Sequence, residues 1–217
     1  MGQRGPVTAA PRPQVSGARA VRTFVAVPVD EPVRTGVARW QARLAPAAGG
    51  IKWVEPHNLH ITLAFLGDLA RDEVEEAIAA VTRACAGHRP FTLGFGGFGV
   101  FPHWRAPRVL WVGIGEGAAE LTALAGAVAR HLRAAGFAME DRPYRPHLTV
   151  GRWRDPRGAA PVRAAVAAEP SGLPPCRVQR VDIMASQLTP HGPIYTCLGY
   201  VPLGEPGAPG DTRRGEG

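Results

Sequence analysis

The sequence is poor in cysteine and lysine, and it contains no long apolar run. Three cysteines (Cys85, Cys176 and Cys197) cannot all pair within one chain, and none belongs to a Cys-x-x-Cys motif. This pattern favours a reducing compartment, without structural disulfides or a zinc ribbon. A membrane-spanning helix needs about 20 apolar residues, and the N-terminus lacks the apolar segment of a secretory signal. We therefore expect a cytoplasmic protein without a membrane partner.

Positive charge is carried almost entirely by arginine, because Lys52 is the only lysine. Lys and Arg total 25 while Asp and Glu total 18, which gives a net charge of +7 and a pI near 10.3. A guanidinium group binds phosphate through a planar fork of donors and stays charged at any working pH. The composition therefore indicates a polyanionic partner. A GC-rich coding bias also enriches Arg, Ala, Gly and Pro, and remains an alternative explanation.

Strand and helix patterns alternate between two ends that are rich in Pro, Gly and Arg. Residues 1–20 and 204–217 show no periodicity and are predicted to be disordered tails, and residues 21–203 are predicted to form a single domain. Apolar stripes after each of the first three strands predict helices, and an Ala-rich segment predicts a short helix at 160–168. The predicted strands are 23–29, 58–66, 108–114, 147–153, 177–188 and 194–202.

Boundary residues support the first and third of these helices. Asp30 is suited to cap the N-terminus of the first helix, and Pro32 is tolerated in its first turn. The apolar stripe of this helix extends from Val33 to Leu44. Gly136 stands where a glycine commonly follows the C-terminus of a helix.

Two strand-helix-strand segments of nearly equal length each end in a histidine. A strand at Phe24 leads through a helix to His60, 36 residues later, and a strand at Leu110 leads through a helix to His147, 37 residues later. Both histidines begin a His-x-Thr motif. Units of this length are common, so the spacing alone is a weak signal. Two motifs of the same polarity nevertheless predict duplicated lobes that face each other across a cleft.

The first motif is His-Ile-Thr-Leu. Side chains alternate along a strand, so His60 and Thr62 share one face while Ile61, Leu63 and Phe65 share the other. We expect the odd-numbered face to lie in the core. The even-numbered face then presents an imidazole and a hydroxyl group side by side.

The second motif, His-Leu-Thr-Val, repeats this arrangement, with His147 and Thr149 on one face and Leu148 and Val150 turned inward. A single strand histidine is commonly structural or solvated, but two such faces can work together. One imidazole can accept a proton from water while the other donates one to a leaving oxygen. Threonine hydroxyls and arginines can stabilise the charge on phosphate oxygens. The pair therefore predicts phosphodiester cleavage without a metal.

Four segments carry a resemblance to a known family: WVEPHNLHITLAFLG, GFGVFPHWRAPRVLWVGI, YRPHLTVGR and MASQLTPHGPIYTCLGYVPL. They resemble the RNA 2′,3′-cyclic phosphodiesterases, which are the 2′-5′ RNA ligase or LigT-like branch of the two-histidine phosphoesterases. The resemblance extends from about Arg22 to Leu203. It implies a two-lobed, pseudo-symmetric α+β fold. Each lobe is a mostly antiparallel sheet with helices on its outer face, and a basic catalytic cleft lies between the lobes.

The resemblance also implies an activity: hydrolysis of a terminal RNA 2′,3′-cyclic phosphate to a 2′-phosphate, with no metal and no cofactor. His60 corresponds to the proton donor to the departing 3′ oxygen, and His147 corresponds to the proton acceptor from water. Thr62 and Thr149 are expected to hold the phosphate, and Arg152 is expected to assist them. We expect a monomer whose partner is an RNA with a cyclic phosphate end, tRNA halves being one candidate.

Two arginines near the second motif are alternative phosphate ligands. Strand alternation places Arg152 on the face opposite His147, unless a bulge at Gly151 redirects it. Arg145 has the same parity as His147, but Pro146 lies between them. Either arginine can instead be a surface group in a salt bridge.

Two other motifs receive structural interpretations. His57 and His60 have a spacing found in zinc sites, but nothing nearby completes a ligand set, so no metal site is predicted. The segment from Gly94 to Gly99 has the Gly-x-Gly-x-x-Gly spelling of dinucleotide-binding loops. It leads into Val100-Phe101-Pro102 rather than into a helix, which indicates a strand and loop beside the cleft.

Several aromatic residues could stack on a base. The tryptophan candidates are Trp53, Trp104, Trp111 and Trp153. We expect Trp111 in the core, because it lies in an apolar run. Phe101, Trp104 and Tyr144 are the better candidates for a contact at the rim of the cleft, and the sequence does not select among them.

Other functions remain open at this level. The reverse reaction would make the protein a 2′-5′ RNA ligase acting on tRNA halves. The same site could also open a small cyclic nucleotide. A module that binds RNA ends without turnover belongs to a different class. Ser186 lacks the surroundings of a nucleophile elbow, so a serine hydrolase is not predicted.

Overall fold

The computed structural model describes residues 20–47, 49–155, 159–167, 171–190 and 192–204. The tails predicted at 1–20 and 204–217 lie outside these ranges, apart from Ala20 and Gly204. No helix within these ranges is both long enough and apolar enough to traverse a bilayer. The three cysteines are free thiols.

Ten strands and four α-helices form within the described ranges, together with 3₁₀ turns at Ala45–Ala47 and Pro56–Asn58. The helices are α1 (Glu31–Leu44), α2 (Arg71–Cys85), α3 (Ala118–Ala134) and α4 (Ala159–Ala167). The strands are β1 (Val21–Pro28), β2 (Ile51–Trp53), β3 (His60–Leu69), β4 (Phe91–Leu93), β5 (Phe95–Phe101), β6 (Val109–Ile114), β7 (His147–Trp153), β8 (Cys176–Val178), β9 (Arg180–Thr189) and β10 (Gly192–Pro202).

Two four-stranded antiparallel sheets organise these elements. The first has the order β10-β9-β1-β3 and the second has the order β2-β7-β6-β5, while β4 and β8 form a separate pair. In the first sheet, β1 is connected to its neighbour β3 through α1, and in the second, β6 is connected to its neighbour β7 through α3. The two sheets are therefore built on the same plan, and the predicted α+β class with antiparallel sheets is confirmed.

Capping explains where α1 begins. The Asp30 carboxylate accepts a hydrogen bond from the Val33 N–H at 3.3 Å, and Pro32 occupies the first turn, where a missing N–H costs nothing. The stripe from Val33 to Leu44 is buried as predicted. At the far end of α3, Gly136 adopts a φ of +90°, which an L side chain rarely allows, and so closes the helix.

An irregularity in β3 determines what its two faces carry. In the pairing with β1, Thr62 lies opposite Ala26 and Ala64 lies opposite Val25, so that Leu63 has no partner. This is a β-bulge, in which one strand contains an extra residue. Ala64 and Phe65 consequently face the side opposite to the one that simple alternation predicts, until a second unpaired residue, Leu66, restores the original alternation at Gly67.

The same irregularity recurs in β7. Thr149 lies opposite Trp111 and Gly151 lies opposite Leu110, so that Val150 has no partner. In both strands, then, the extra residue directly follows the threonine of the His-x-Thr motif. The shared position of the bulge supports the duplicated plan independently of the sequence spacing.

The bulges correct two expectations. Phe65 was expected in the core, but it is 54% exposed and lies on the face of Thr62. Arg152, three residues after Thr149, likewise lies on the cleft side of its strand. The bulge that redirects it is at Val150, one residue before the position considered. The inward residues of both motifs up to the bulge, such as Ile61 and Leu148, are fully buried as predicted.

The glycine-rich segment forms strand β5 and not a phosphate-binding loop. It runs antiparallel to β6, with Gly99 opposite Trp111. A Cβ atom at Gly99 would overlap the Trp111 ring, whereas one at Gly97 would meet nothing within 4 Å. Glycine at position 99 therefore lets the indole lie flat against the neighbouring strand.

We predict that Gly99→Ala destabilises the protein by about 1–3 kcal/mol, because the indole or the strand must shift to admit the methyl group. Urea unfolding followed by tryptophan fluorescence measures this change. Gly97→Ala in the same strand is the matched control and should leave the unfolding midpoint nearly unchanged. Equal effects of the two substitutions would contradict the packing argument.

Candidate active site

The two motif histidines occupy equivalent places, each as the first residue of its strand. His60 Nδ1 lies 2.8 Å from the carbonyl oxygen of Asn58, and His147 Nδ1 lies 2.6 Å from the carbonyl oxygen of Arg145. A carbonyl oxygen can only accept, so each Nδ1 carries a hydrogen and donates it. The Nε2 atom of each ring is therefore the nitrogen that remains to accept or release a proton.

Asn58 holds the backbone that orients His60. Its side chain is buried, and its Nδ2 group donates a hydrogen bond to the carbonyl oxygen of Pro193 at 3.1 Å. This bond ties the 3₁₀ turn before β3 to the start of β10. The predicted strand start at residue 58 is therefore displaced to His60, because residues 56–58 form the turn instead.

Aromatic rings enclose both imidazoles. The His60 ring lies 4.8 Å from Phe24 and 5.2 Å edge-on from Tyr195, as measured between ring centroids. The His147 ring lies 5.0 Å edge-on from Phe101 and 6.1 Å from Trp111.

A cleft of about 1030 Å³ brings the predicted site residues together. Its walls include His60, Thr62, Thr149 and Arg152, which come from β3 and from β7. His147 is not among the wall residues, but it lies on the same face of β7 as Thr149, which does line the cleft. The structure thus places one histidine, the two threonines and one of the two candidate arginines in the cleft walls, with the second histidine on the same strand face as Thr149.

Burial lowers the pKa of both histidines below the ordinary value of 6.5, because a cation loses hydration there. The hydrogen bonds to the carbonyl oxygens of Asn58 and Arg145 raise each pKa, since they favour the charged ring. The positive charge of Arg152 lowers both, and that of His147 lowers the pKa of His60 further. Both imidazoles are therefore mainly neutral at pH 7 in the free protein. A bound phosphate anion would raise both pKa values.

The walls of the cleft carry both positive and negative side chains. Its described walls carry three basic side chains and three acidic ones, namely Arg22, Lys52 and Arg152, and Glu55, Asp68 and Glu140. The resemblance implies a basic cleft, and these walls carry basic and acidic side chains in equal number. Lys52 lies directly opposite Arg152 in the pairing of β2 with β7, so positive charge is concentrated beside Thr149.

The other charged candidates lie elsewhere or act differently. The Arg145 side chain is exposed and does not belong to the described cleft walls, although its backbone carbonyl binds His147. His57 lies in the wall. The described residues contain no group of three or more His, Cys, Asp or Glu side chains that could hold a metal ion.

The aromatic candidates from the sequence are mostly used for packing. The Tyr144 hydroxyl donates to the carbonyl oxygen of Thr62 at 3.2 Å, and Trp104 packs edge-on against Trp153. Phe101 lies against His147. Trp111 was expected in the core, but it is only partly buried, because it faces Thr149 across the sheet rather than the interior.

Three positioning groups escaped the sequence reasoning: Phe24, Asn58 and Tyr195. The sequence contains a local signal for two of them, because Phe24 lies in the first predicted strand and Asn58 is two residues before His60. Tyr195 comes from the last strand, and nothing local in the sequence links it to His60.

With this geometry in place, comparison with known proteins identifies the class. The profile of the 2′-5′ RNA ligase superfamily matches residues 28–189. The structure is similar to that of apo E. coli LigT, with a TM-score of 0.70 and 26% identity over 85% of this chain and 98% of the other. It is also similar to TT0787 of Thermus thermophilus, with a TM-score of 0.67 and 30% identity over 84% and 97% of the two chains. The chain belongs to the 2′-5′ RNA ligase superfamily.

Within this superfamily, the chain is similar to two curated proteins that carry the same name. One is the RNA 2′,3′-cyclic phosphodiesterase of Archaeoglobus fulgidus, which is 40% identical over 183 residues, or 82% of this chain and 98% of that protein. The other is the RNA 2′,3′-cyclic phosphodiesterase of Methanothermobacter thermautotrophicus, which is 38% identical over 179 residues, or 82% and 96%. Both alignments cover nearly the whole relative.

We predict that Arg152→Gln raises the pKa of both His60 and His147, because it removes a positive charge that disfavours the imidazolium form. NMR titration of the imidazole resonances measures each pKa directly. Arg145→Gln is the control, because that side chain is exposed and its charge does not contribute to the lowered pKa of either histidine. An unchanged or lowered pKa in Arg152→Gln would contradict the arrangement.

Proposed function

We propose that this protein is an enzyme, an RNA 2′,3′-cyclic phosphodiesterase that opens a terminal cyclic phosphate to a 2′-phosphate. The observation that carries the proposal is the matched pair of imidazoles at the starts of β3 and β7. Each has its Nδ1–H fixed by a carbonyl oxygen two residues earlier, and each shares a strand face with the threonine of its motif. Superfamily membership and the names of the two relatives support the same activity.

The reaction needs one proton acceptor and one proton donor. His147 accepts a proton from water as the water oxygen attacks phosphorus, and the bond between phosphorus and O3′ breaks. His60 donates its Nε2 proton to O3′, which leaves as a hydroxyl group. The product carries the phosphate on O2′. Such paired proton transfer contributes typically about 10²–10⁴ in rate for each group, and no metal takes part in this scheme.

Three further side chains stabilise the charge on the phosphate. The hydroxyl groups of Thr62 and Thr149 donate hydrogen bonds to the non-bridging oxygens, one from each lobe. Arg152 supplies a full positive charge beside them, and a guanidinium fork matches two phosphate oxygens at once. All three lie in the described cleft walls. Arg145 is assigned no such role, because its side chain is exposed and its contact with His147 is made by its backbone carbonyl.

The electrostatic coupling of the two rings favours a single proton on the pair. Positive charge on one imidazole disfavours positive charge on the other, so the second proton binds at a lower pH than the first. A bound phosphodiester anion raises both pKa values and offsets the influence of Arg152. Substrate binding thus favours the protonated imidazole that His60 needs in order to donate a proton. The free thiols fit action in the reducing cytoplasm.

The direct test removes each histidine in turn. We predict that His60→Asn and His147→Asn each lower kcat for opening a cyclic phosphate by about 10²–10⁴. The double variant should be little worse than either single one, because the residues act as a unit. EDTA should leave the wild-type rate unchanged. Product chromatography distinguishes the 2′-phosphate from the 3′-phosphate, and thermal melting confirms that each variant is folded.

Each alternative has its own signature in that assay. Unimpaired turnover in the double variant would remove the proposed mechanism, and a 3′-phosphate product would refute the leaving group. Binding of the RNA without any product would identify a binding module. A 2′-5′ linked product, formed when an RNA half with a 5′-hydroxyl end is supplied, would show ligation.

The assignment of donor and acceptor can be tested separately with a modified substrate. A cyclic phosphate in which sulfur replaces O3′ has a thiolate leaving group that needs no proton. We predict that His60→Asn recovers most of its activity on this substrate, whereas His147→Asn stays impaired. The reverse pattern would exchange the two roles. Wild-type rates on both substrates provide the reference.

A further inference from the structure

One buried side chain outside the described cleft walls binds the backbone next to both motifs. Gln41 lies in α1 and is 8% exposed. Its Nε2 group donates one hydrogen bond to the carbonyl oxygen of Val54 at 2.9 Å and another to that of Val150 at 3.0 Å. The amide nitrogen carries two hydrogens, so both are used. Gln41 therefore joins two segments that are far apart in the sequence.

These two segments belong to the two histidine motifs. Val54 lies shortly before the 3₁₀ turn whose Asn58 carbonyl group orients His60. Val150 is the unpaired residue of the bulge in β7. The Val54 N–H also donates to the Val150 carbonyl oxygen at 3.0 Å. The chain that leads into the first motif is thus tied to the bulge of the second.

Another hydrogen bond connects the motifs in the opposite direction. Tyr144 lies shortly before the second motif, and its hydroxyl group donates to the carbonyl oxygen of Thr62 at 3.2 Å. Thr62 immediately precedes the bulge in β3, which is the edge strand of its sheet. An edge strand offers backbone groups to other segments. Each motif strand thus accepts, at its bulge, a hydrogen bond from a side chain in the other half of the chain.

Aromatic packing holds Gln41 in place. The ring of the preceding residue, Trp40, stacks on Phe98 with the centroids 3.9 Å apart and meets Trp53 edge-on at 6.1 Å. Phe98 belongs to β5 and Trp53 to β2, which are the two outer strands of the second sheet. The amide therefore comes from a helix that is fixed against the sheet containing β7. A group that positions others needs such a rigid support.

We propose that Gln41 and Tyr144 are positioning residues that fix the distance between β3 and β7, an inference that rests on the proposed function. In-line displacement needs a proton acceptor and a proton donor on opposite sides of one phosphorus atom. A misplacement of about 1 Å in such an arrangement can cost about 10²-fold in rate. Neither side chain belongs to the described cleft walls, so each acts through the backbone of a motif strand.

Two substitutions remove these hydrogen bonds and nearly preserve the shape of the side chains. Tyr144→Phe removes only the hydroxyl group, and Gln41→Met replaces the amide with an apolar group of similar length. We expect each to lower kcat for opening a 2′,3′-cyclic phosphate about ten-fold, while KM stays within about three-fold of wild type. The reason is that proton transfer depends on the spacing of the reacting groups more steeply than binding does.

Three control variants separate positioning from a general loss of stability. Gln179→Met and Tyr200→Phe make the same chemical changes at an exposed glutamine and at a partly exposed tyrosine, both outside the described cleft walls. Val81→Ala leaves a cavity beside the fully buried face of α2. All three should keep the wild-type kcat, although Val81→Ala unfolds at a lower urea concentration.

The comparison of these variants decides the role of the two residues. If Val81→Ala slows the reaction as much as Gln41→Met and Tyr144→Phe do, the two residues are merely structural and the positioning role is refuted. An unchanged kcat in both Gln41→Met and Tyr144→Phe refutes it equally. A rise in KM without a fall in kcat would show that they serve binding instead.

A titration with inorganic phosphate separates this inference from the proposed function. One phosphate ion held between the motif strands should shift the NMR resonances of both His60 and His147 with the same midpoint. In Gln41→Met and Tyr144→Phe we expect one of the two resonances to lose at least about half of its shift, because the ion then lies closer to one strand.

Each outcome of the titration bears on one of the two claims. Wild-type shifts of both resonances in both variants overturn the positioning role, whether or not the wild type turns over cyclic phosphates. A phosphate ion that shifts only one resonance in the wild type overturns the shared site and the positioning role with it. Absence of turnover in the wild type, together with the expected changes in the variants, overturns only the proposed function.

Discussion

In β3 and in β7, one residue after the motif threonine has no partner in the neighbouring strand, and this bulge determines which of the following side chains point into the cleft. Without a bulge at Leu63, Phe65 would point into the core, and without one at Val150, Arg152 would face away from the histidines. A bulge adds one residue to one strand and leaves the pairing on both sides intact. The sheets keep their apolar interior, and each lobe gains one side chain in the cleft. The phosphate binding that we propose for Arg152 depends on this backbone geometry.

The two hydrogen bonds from Nδ1 to carbonyl oxygens have a second effect besides orienting the rings. They fix the tautomer, so that Nε2 is the nitrogen without a hydrogen in the neutral ring of both His60 and His147. Two initially similar imidazoles can then take opposite roles according to where the substrate places its leaving oxygen. A symmetric pair of this kind suits a reaction that can run in either direction, because the donor of one direction is the acceptor of the other.

Much of the fold and of the candidate site follows from the sequence. Local signals were sufficient for α1, whose cap and apolar stripe are explicit, and for the two histidine strands, whose inward residues alternate up to the bulge. The position of Phe65 was not predicted, and that of Arg152 was predicted only as one of two possibilities. A bulge depends on how two strands pair and leaves no mark in the residues of one strand. Short strands such as β2 and β4 were missed because three residues show no period. Tyr195 reaches His60 only through tertiary folding.

Lys52 gives the cleft a chemical property of its own. It is the only lysine in the chain, and it lies in the cleft wall directly opposite Arg152. A reagent selective for ε-amines consequently modifies this protein at a single position, which lies in the cleft wall. A fluorophore coupled to Lys52, without any engineered cysteine, would report through its emission on the binding of a ligand in the cleft.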